Sequence, residues 1–316
     1  MRRAVLAVLM GAAALTLASC NKPAEKAAGG GATNGAAKPA VLNFSILSAE
    51  DQANFGPLWK PLLDDLSKAV GVPVKPFFSS NYSALVQAFK FNQTQIGWFS
   101  AKPALETTRT ANGEVFARTV DLGGHDNYQS VLIVKKGSGL TLDRILKCDK
   151  SLSFGMGDPQ STSGTLAPMH YLFGPKKIDP KTCFKVVRNA AHQPNLFSVA
   201  NGLLDASTNN SVGLDFARVG SAQAKASYDK VQVVWSSPNL PESAFVYRKE
   251  LDPALKAKIR DFFLGYGKAP GTEGERQRAI LKPLHYSGFN AADDGYLQPV
   301  VEMEKDAPAA QAKAGG

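Results

Sequence analysis

The chain has 316 residues, with 36 Lys and Arg against 27 Asp and Glu, and a formal net charge of +9 at pH 7. The basic residues are scattered, apart from short pairs such as Lys135-Lys136 and Lys176-Lys177. No basic stripe is interleaved with aromatic residues, which argues against nucleic-acid binding, while a mildly positive field favours attraction of a small anion.

At the start, Arg2 and Arg3 form a positive n-region, and residues 4–17 form an apolar run too short to span a bilayer comfortably. Leu17-Ala18-Ser19-Cys20 follows and resembles a bacterial lipobox, a signal that is cut before its cysteine and lipidated on the thiol. Residues 1–19 therefore read as a lipoprotein signal peptide, with Cys20 as the lipidation site. Asn21 after Cys20 is not the aspartate that marks inner-membrane retention, so either membrane stays open. Residues 20–40 are poor in apolar side chains, cannot bury a core and read as a flexible tether. Residues 306–316 have the same composition and read as a disordered tail. Roughly 260 residues lie between, enough for two modest domains.

Within that region, residues 42–47 alternate as a first strand, and residues 59–70 place Leu62, Leu63, Leu66 and Val70 at helical spacing. A strand over 72–78, a helix over 82–91, a strand over 95–99 and a helix over 102–110 follow. Residues 128–134 form a strong apolar strand. The alternation then resumes: a helix near 140–146, a strand over 152–154, a helix after Ser163, a strand over 184–187 and a helix over 195–203. A strand over 231–235, a Pro-bearing connector over 236–243, a strand over 244–248 and a helix through Leu255, Ile259, Phe262 and Phe263 complete the series. Strands alternating with helices predict parallel sheets flanked by helices. Two such units, joined by crossings near 134–137 and 236–243, describe a hinged pair. One lobe takes residues 41–134 plus 244–305, the other residues 135–243. Ligands of open α/β sheets bind at the carboxyl ends of strands, so a cleft between two such lobes gathers several strand ends around one point.

The densest chemical signal is Gly157-Asp158-Pro159-Gln160-Ser161-Thr162-Ser163-Gly164. It places three hydroxyl residues where a strand hands over to a helix. Free N–H groups and the positive dipole end there favour an oxyanion. An ordinary Ser or Thr N-cap explains the same residues about equally well. Cys148 and Cys183 each precede a predicted strand of one region. They lack metal-site spacing, and adjacent parallel strands would bring them close enough to bridge.

Several separate stretches resemble one family, in order, between about residues 42 and 299. These are Phe77-Phe78-Ser79-Ser80-Asn81-Tyr82, Ala111-Asn112-Gly113-Glu114-Val115-Phe116-Ala117, Tyr128-Gln129-Ser130-Val131-Leu132-Ile133-Val134 and the Gly157–Gly164 loop. Val199-Ala200-Asn201-Gly202, Ala206-Ser207-Thr208-Asn209-Asn210, Trp235-Ser236-Ser237-Pro238 and Asp261-Phe262-Phe263-Leu264-Gly265-Tyr266-Gly267-Lys268 follow. Together they resemble the periplasmic phosphonate-binding proteins of ABC importers, within the phosphate, phosphite and phosphonate substrate-binding family. The resemblance implies a type II two-lobed periplasmic binding protein, with two mixed α/β domains joined by a two-segment hinge. It implies no cofactor, no metal and no catalysis, and an ABC permease in the inner membrane as partner.

Residue by residue, the resemblance implies that Ser161, Thr162 and Ser163 grip the phosphorus oxyanion. Tyr82 and His192 donate to the same group, and Tyr128 lines the organic end. Aminophosphonate binders of the family hold the ligand ammonium with two carboxylates. Here one of those positions is Val212, and the other is Ser243, with Glu242 beside it. Losing a carboxylate removes a charge-assisted contact worth about 1.5–3 kcal/mol. The expected ligand therefore lacks an amine: phosphite, a simple phosphonate or phosphate. If the connector is shifted by one residue, Glu242 restores the amine contact. Gly97-Trp98-Phe99-Ser100-Ala101 and Gln129 also depart from the aminophosphonate pattern and reshape the wall near Tyr128.

Two other functions compete. A hydrolase would need more than Ser161 and His192, and the chain has no Gly-x-Ser-x-Gly elbow, His-Glu-x-x-His motif or Walker loop. A sensor domain signalling to a membrane partner would look the same in sequence as a transport receptor.

Overall fold

The computed structural model describes residues 39–47, 52–79 and 81–305. The signal peptide, Cys20, nearly all of the tether and the 306–316 tail lie outside the described residues. No described helix is long and apolar enough to cross a membrane.

In chain order the first part runs β1 (Leu42–Ile46), α1 (Gln52–Val70), β2 (Val74–Phe77), α2 (Tyr82–Lys90), β3 (Ile96–Phe99), α3 (Ala101–Thr110) and β4 (Gly113–Asp121). A short β5 (Asn127–Tyr128) leads to β6 (Ser130–Lys135), α4 (Leu142–Ile145), β7 (Ser153–Met156), α5 (Pro180–Cys183), β8 (Val186–Asn189), α6 (His192–Ala200) and β9 (Ala206–Asn210). Then come α7 (Ser211–Val219), α8 (Ala222–Tyr228), β10 (Val231–Ser236), a short β11 (Leu240–Pro241) and β12 (Ala244–Arg248). The chain continues with α9 (Pro253–Gly265), α10 (Gly271–Leu281), β13 (Tyr286–Ala291) and α11 (Gln298–Lys305).

The strands form two main sheets. One has the order β13-β4-β12-β3-β1-β2, the other β10-β6-β9-β7-β8. Neither is purely parallel. In the first, β1 runs parallel to β2 and β3, but β12 pairs antiparallel with both β3 and β4. In the second, β6 is antiparallel to β9 and β10. The parallel sheets expected from sequence are thus mixed, because each sheet receives strands where the chain arrives from or leaves for the other lobe. β4 escaped the sequence reading, since its partners β12 and β13 lie more than a hundred residues away.

The connection between lobes also differs from expectation. The apolar run 128–134 was assigned to the first lobe, with a crossing near 134–137. Instead β6 lies inside the second sheet, between β10 and β9. The crossing falls earlier, at β5, which pairs antiparallel with β11, Leu240 opposite Tyr128. Two crossing segments therefore form one small ribbon. Gln129 marks the break. Its N–H donates to Ser211 Oγ (3.1 Å), and its Nε2 donates to the Ser237 carbonyl (2.8 Å). Nothing in the apolar pattern reveals that break.

Apolar periodicity accounts for the cores. Trp59, Leu62, Leu63, Leu66 and Val70 of α1 are all at most 1% exposed and pack on the first sheet. Phe44, Trp98, Phe116, Phe245, Phe263 and Phe289 complete a dense aromatic core there. Each such side chain contributes about 1.5–3 kcal/mol when buried. In the second lobe, Phe154 stacks on Phe184 at 4.3 Å. Cys148 and Cys183, which precede the parallel neighbours β7 and β8, are joined as a disulfide.

Candidate functional site

The hydroxyl loop follows β7 and enters two π-type turns, Thr162–Leu166 and Met169–Phe173. The Leu166 and Ala167 N–H groups reach back five residues, to the Ser161 and Thr162 carbonyls. Such wide turns often sit at functional sites, because they re-aim the first turn. The loop is held shut on itself. Gly157 N–H donates to the Gly164 carbonyl at 2.9 Å. A Cβ on Gly157 would lie 2.4 Å from Gly164 Cα, and one on Gly164 would lie 2.7 Å from Gly157 Cα, so both positions need glycine. Side chains from neighbouring elements fix the rest. Thr208 Oγ1 donates to the Gly164 carbonyl (2.7 Å), Ser130 Oγ to the Ser163 carbonyl (2.6 Å), and Asn189 Nδ2 to the Gly157 carbonyl (2.8 Å). The loop is therefore rigid, with its buried backbone groups largely satisfied.

Beside it lies a cavity of about 50 Å³ between the lobes. Ser161, Ser163, His192, Tyr82 and Tyr128 line it, as do Val212, Glu242 and Ser243. Thr162 does not. Its Oγ1 accepts from the Lys102 backbone N–H (2.8 Å) and lies 3.3 Å from Ser100 Oγ. Of the three hydroxyls expected to grip an anion, the middle one instead links the loop to the start of α3 in the other lobe. Lys102 Nζ adds a bond to the Pro159 carbonyl (2.6 Å), and Tyr82 N–H donates to Asp158 Oδ2 (3.4 Å). The cleft is thus closed across the hydroxyl loop.

Among the described residues, no lysine or arginine lines the cavity. Helix starts converge on it from both lobes: α2 opens at Tyr82, α3 just after Ser100, the π turns just after Ser161, α6 at His192, and α7 just after Asn210, and all five named residues line the space. Each start turns the positive end of its dipole toward the space, although side chains cap some of its N–H groups, such as Ala84 on Asn81, Gly164 on Ser161 and Gly213 on Asn210.

His192 is 4% exposed, and its Nε2 lies 3.4 Å from Ser161 Oγ. Burial lowers its pKa to about 4. The imidazole is therefore neutral at pH 7 and offers a single ring N–H. Burial holds the Tyr128 phenol well above its ordinary pKa, and its hydroxyl sits against Ser163 and Thr162. Tyr128 is a neutral donor.

Glu242 is 6% exposed. Its Oε2 accepts from Ser243 N–H (2.6 Å) and Thr119 Oγ1 (3.0 Å). Burial raises its pKa, and those two bonds oppose the rise. Sequence reasoning placed Glu242 beside the pocket; in the structure both Glu242 and Ser243 face it. The remaining wall is mainly apolar: Phe55, Trp98, Phe216 and Tyr286, with Val212. Phe55, Phe216 and Tyr286 were missed, because in sequence they look like core aromatics, and most of their surface is indeed core. Asn210 carried a readable signal: it caps α7, its Oδ1 accepting from Gly213 N–H (2.6 Å).

Among the described residues no group of three or more His, Cys, Asp or Glu side chains could hold a metal ion.

Residues 44–297 match the profile of the periplasmic phosphonate substrate-binding proteins of ABC transporters. The chain is 39% identical over 264 residues to the phosphonates-binding periplasmic protein of Escherichia coli K12, covering 83% of this chain and 75% of that one. It is similar in structure to the binding-protein component of an ABC phosphonate transporter from Pseudomonas aeruginosa, with TM-score 0.80 and 36% identity over 87% of this chain and 90% of that one. The PhnD1 protein of Prochlorococcus marinus, solved with methylphosphonate, shares the fold at TM-score 0.72 and 21% identity, covering 85% of this chain and 98% of that one. The chain belongs to the periplasmic phosphonate-binding proteins of ABC transporters, a family of substrate receptors and not of enzymes.

Proposed function

We propose that this protein is a receptor for a small, amine-free phosphonate, which it delivers to an ABC permease. The phosphonate oxygens take hydrogen bonds from Ser161, Ser163, His192, Tyr82 and Tyr128, and from the helix-start N–H groups around them. Thr162 holds the lobes closed. The organic substituent lies against Val212, Trp98, Phe55 and Phe216.

The observation that carries this reading is one small cavity lined both by hydroxyl residues and by apolar side chains. About 50 Å³ corresponds to roughly three to five water-sized positions at about 10–15 Å³ each, which limits the substituent to a carbon or two. Phosphate would press a fourth oxygen against the apolar wall, and an unsatisfied polar group there costs about 1–3 kcal/mol. Val212 supplies no counter-charge for an amine. Glu242, driven toward its neutral form by burial, is compatible with an anion next to it.

The position of Glu242 also favours a second reading. An ionised carboxylate in a cavity without lysine or arginine is a counter-charge for a ligand ammonium, and 2-aminoethylphosphonate would supply one. Calorimetric titration of ligand-free protein with methylphosphonate, phosphite, phosphate and 2-aminoethylphosphonate separates the two. Tightest binding of methylphosphonate, lost in Ser161→Ala/Ser163→Ala, supports the first reading. Tightest binding of 2-aminoethylphosphonate establishes the second. Phosphate as the best ligand sinks both.

The lipobox-like stretch at Cys20 supports lipid anchoring of the mature protein. Cys20→Ser should then abolish labelling by a fatty-acid analogue and release the protein from the membrane fraction. Unchanged membrane association in that variant would remove the anchor from the account.

A further inference from the structure

A second chamber adjoins the ligand cavity. It holds about 190 Å³ and lies between α1 of the first lobe and α6, α7 and α8 of the second, with Leu58, Leu196, Ala217 and Ala224 in its walls. Phe55, His192, Gly213 and Phe216 line both spaces. Gly213 offers no side chain. The His192 backbone is tied down by Asn209 Nδ2, which donates to its carbonyl at 3.0 Å. The aromatic pair is what separates the two volumes.

The two rings meet edge to face, with centroids 5.9 Å apart at 78°. Phe216 also stacks on His285 at 4.0 Å and 21°. Phe55 and His285 belong to the first lobe and Phe216 to the second, so lobe closure clamps the Phe216 ring between two partners. Val212 and Phe216 are four residues apart and share one face of α7. One helix face therefore supplies both the wall beside the ligand and the partition behind it.

We propose that Phe216, against Phe55, sets the upper size of the organic substituent that this receptor accepts. With the ring in place, a substituent meets an aromatic wall after a carbon or two. With the ring removed, the cavity opens into an apolar chamber suited to an aryl or branched alkyl group. The inference rests on the cavity being the phosphonate site, and the experiment separates the two.

Affinities for methylphosphonate and phenylphosphonate are measured by calorimetry for the wild type, Phe216→Ala and Phe216→Leu, with a melting curve confirming that each is folded. Phe216 is only partly buried, so both variants keep a core. The quantity read is the ratio of the two affinities. A steric wall discriminates by about 10–200-fold per methylene-sized clash. Phe216→Ala should shift the ratio toward phenylphosphonate by about tenfold or more, and Phe216→Leu by less. If both ligands weaken in parallel in both variants, the ring only helps closure and the inference is overturned. If the wild type binds neither ligand, the phosphonate assignment fails first and takes the partition with it.

Discussion

Replacing Glu242 with Gln keeps the shape of the wall and removes the one carboxylate that the described residues place there. The wild-type carboxylate is buried, lines the ligand cavity and faces no lysine or arginine there. For a phosphonate oxyanion at a separation of about 6 Å and an effective dielectric constant near 20, repulsion from an ionised Glu242 is about 3 kcal/mol. Burial raises the pKa of the carboxyl, so part of that penalty is avoided by protonation when the anion enters. Rising pH ionises the group and removes the escape. Wild-type affinity for methylphosphonate should therefore fall as pH climbs through the raised pKa, whereas Glu242→Gln should bind with a flat profile over the same range. Above the raised pKa the variant should bind methylphosphonate tighter by about 1–3 kcal/mol, a factor of about five to a hundred and fifty. Calorimetry in two buffers of different ionisation enthalpy should also show proton uptake on wild-type binding and none in the variant. A wild-type affinity that follows the same pH profile as the variant would refute the electrostatic reasoning. If the variant instead loses a preference for 2-aminoethylphosphonate, Glu242 is an ammonium counter-charge.

Four other outcomes follow from the geometry. Thr162→Val removes the cross-lobe bond to Lys102 N–H; it should lower methylphosphonate affinity by about 0.5–1.5 kcal/mol, mainly through faster dissociation in stopped-flow traces, and leave the melting temperature of the unliganded protein nearly unchanged. Gly164→Ala forces a Cβ to within 2.7 Å of Gly157 Cα; it should destabilise the protein by about 1–3 kcal/mol in urea denaturation and abolish detectable binding. His192 has a folded-state pKa lowered to about 4, so its stabilising contribution is present above the unfolded-state value and is lost as pH falls from about 6.5 toward 4. Denaturation of the unliganded protein should show up to about 3 kcal/mol of loss across that window, reduced in His192→Gln. Removing the Cys148–Cys183 bridge with a double Ser substitution opens a loop of 35 residues' separation and should lower stability by about 3–4 kcal/mol, read from denaturation midpoints.

The parts of this site that could be read from sequence are those whose chemistry is local. Three hydroxyl residues between a strand and a helix point to an anion loop or an ordinary N-cap, because capping and dipole effects act within a few residues. Val212 was placed beside the cavity only by the family resemblance, as the residue standing where aminophosphonate binders carry a carboxylate. What could not be read depends on long-range packing. Thr162 and Ser163 are equivalent in sequence, and only the arrival of α3 from the other lobe gives them different partners. Phe55 and Phe216, 161 positions apart, form one partition only when the lobes close. The ribbon of β5 and β11 hides at the start of an apolar run and inside the Pro-bearing connector, because a two-residue strand leaves no periodicity. The order of strands in the first sheet is set by β12 and β13, which return from the far end of the chain.

In the function proposed for this protein, the closed cleft holds a small amine-free phosphonate through Ser161, Ser163 and His192. The most direct test is calorimetric titration of ligand-free protein with methylphosphonate beside phosphate, repeated on Ser161→Ala/Ser163→Ala. One site per chain is expected, with methylphosphonate bound at least about fivefold tighter than phosphate, as follows from an unsatisfied oxygen costing about 1–3 kcal/mol, and with that binding lost in the double variant. Equal or tighter binding of phosphate, or methylphosphonate affinity that survives the double substitution, would contradict it.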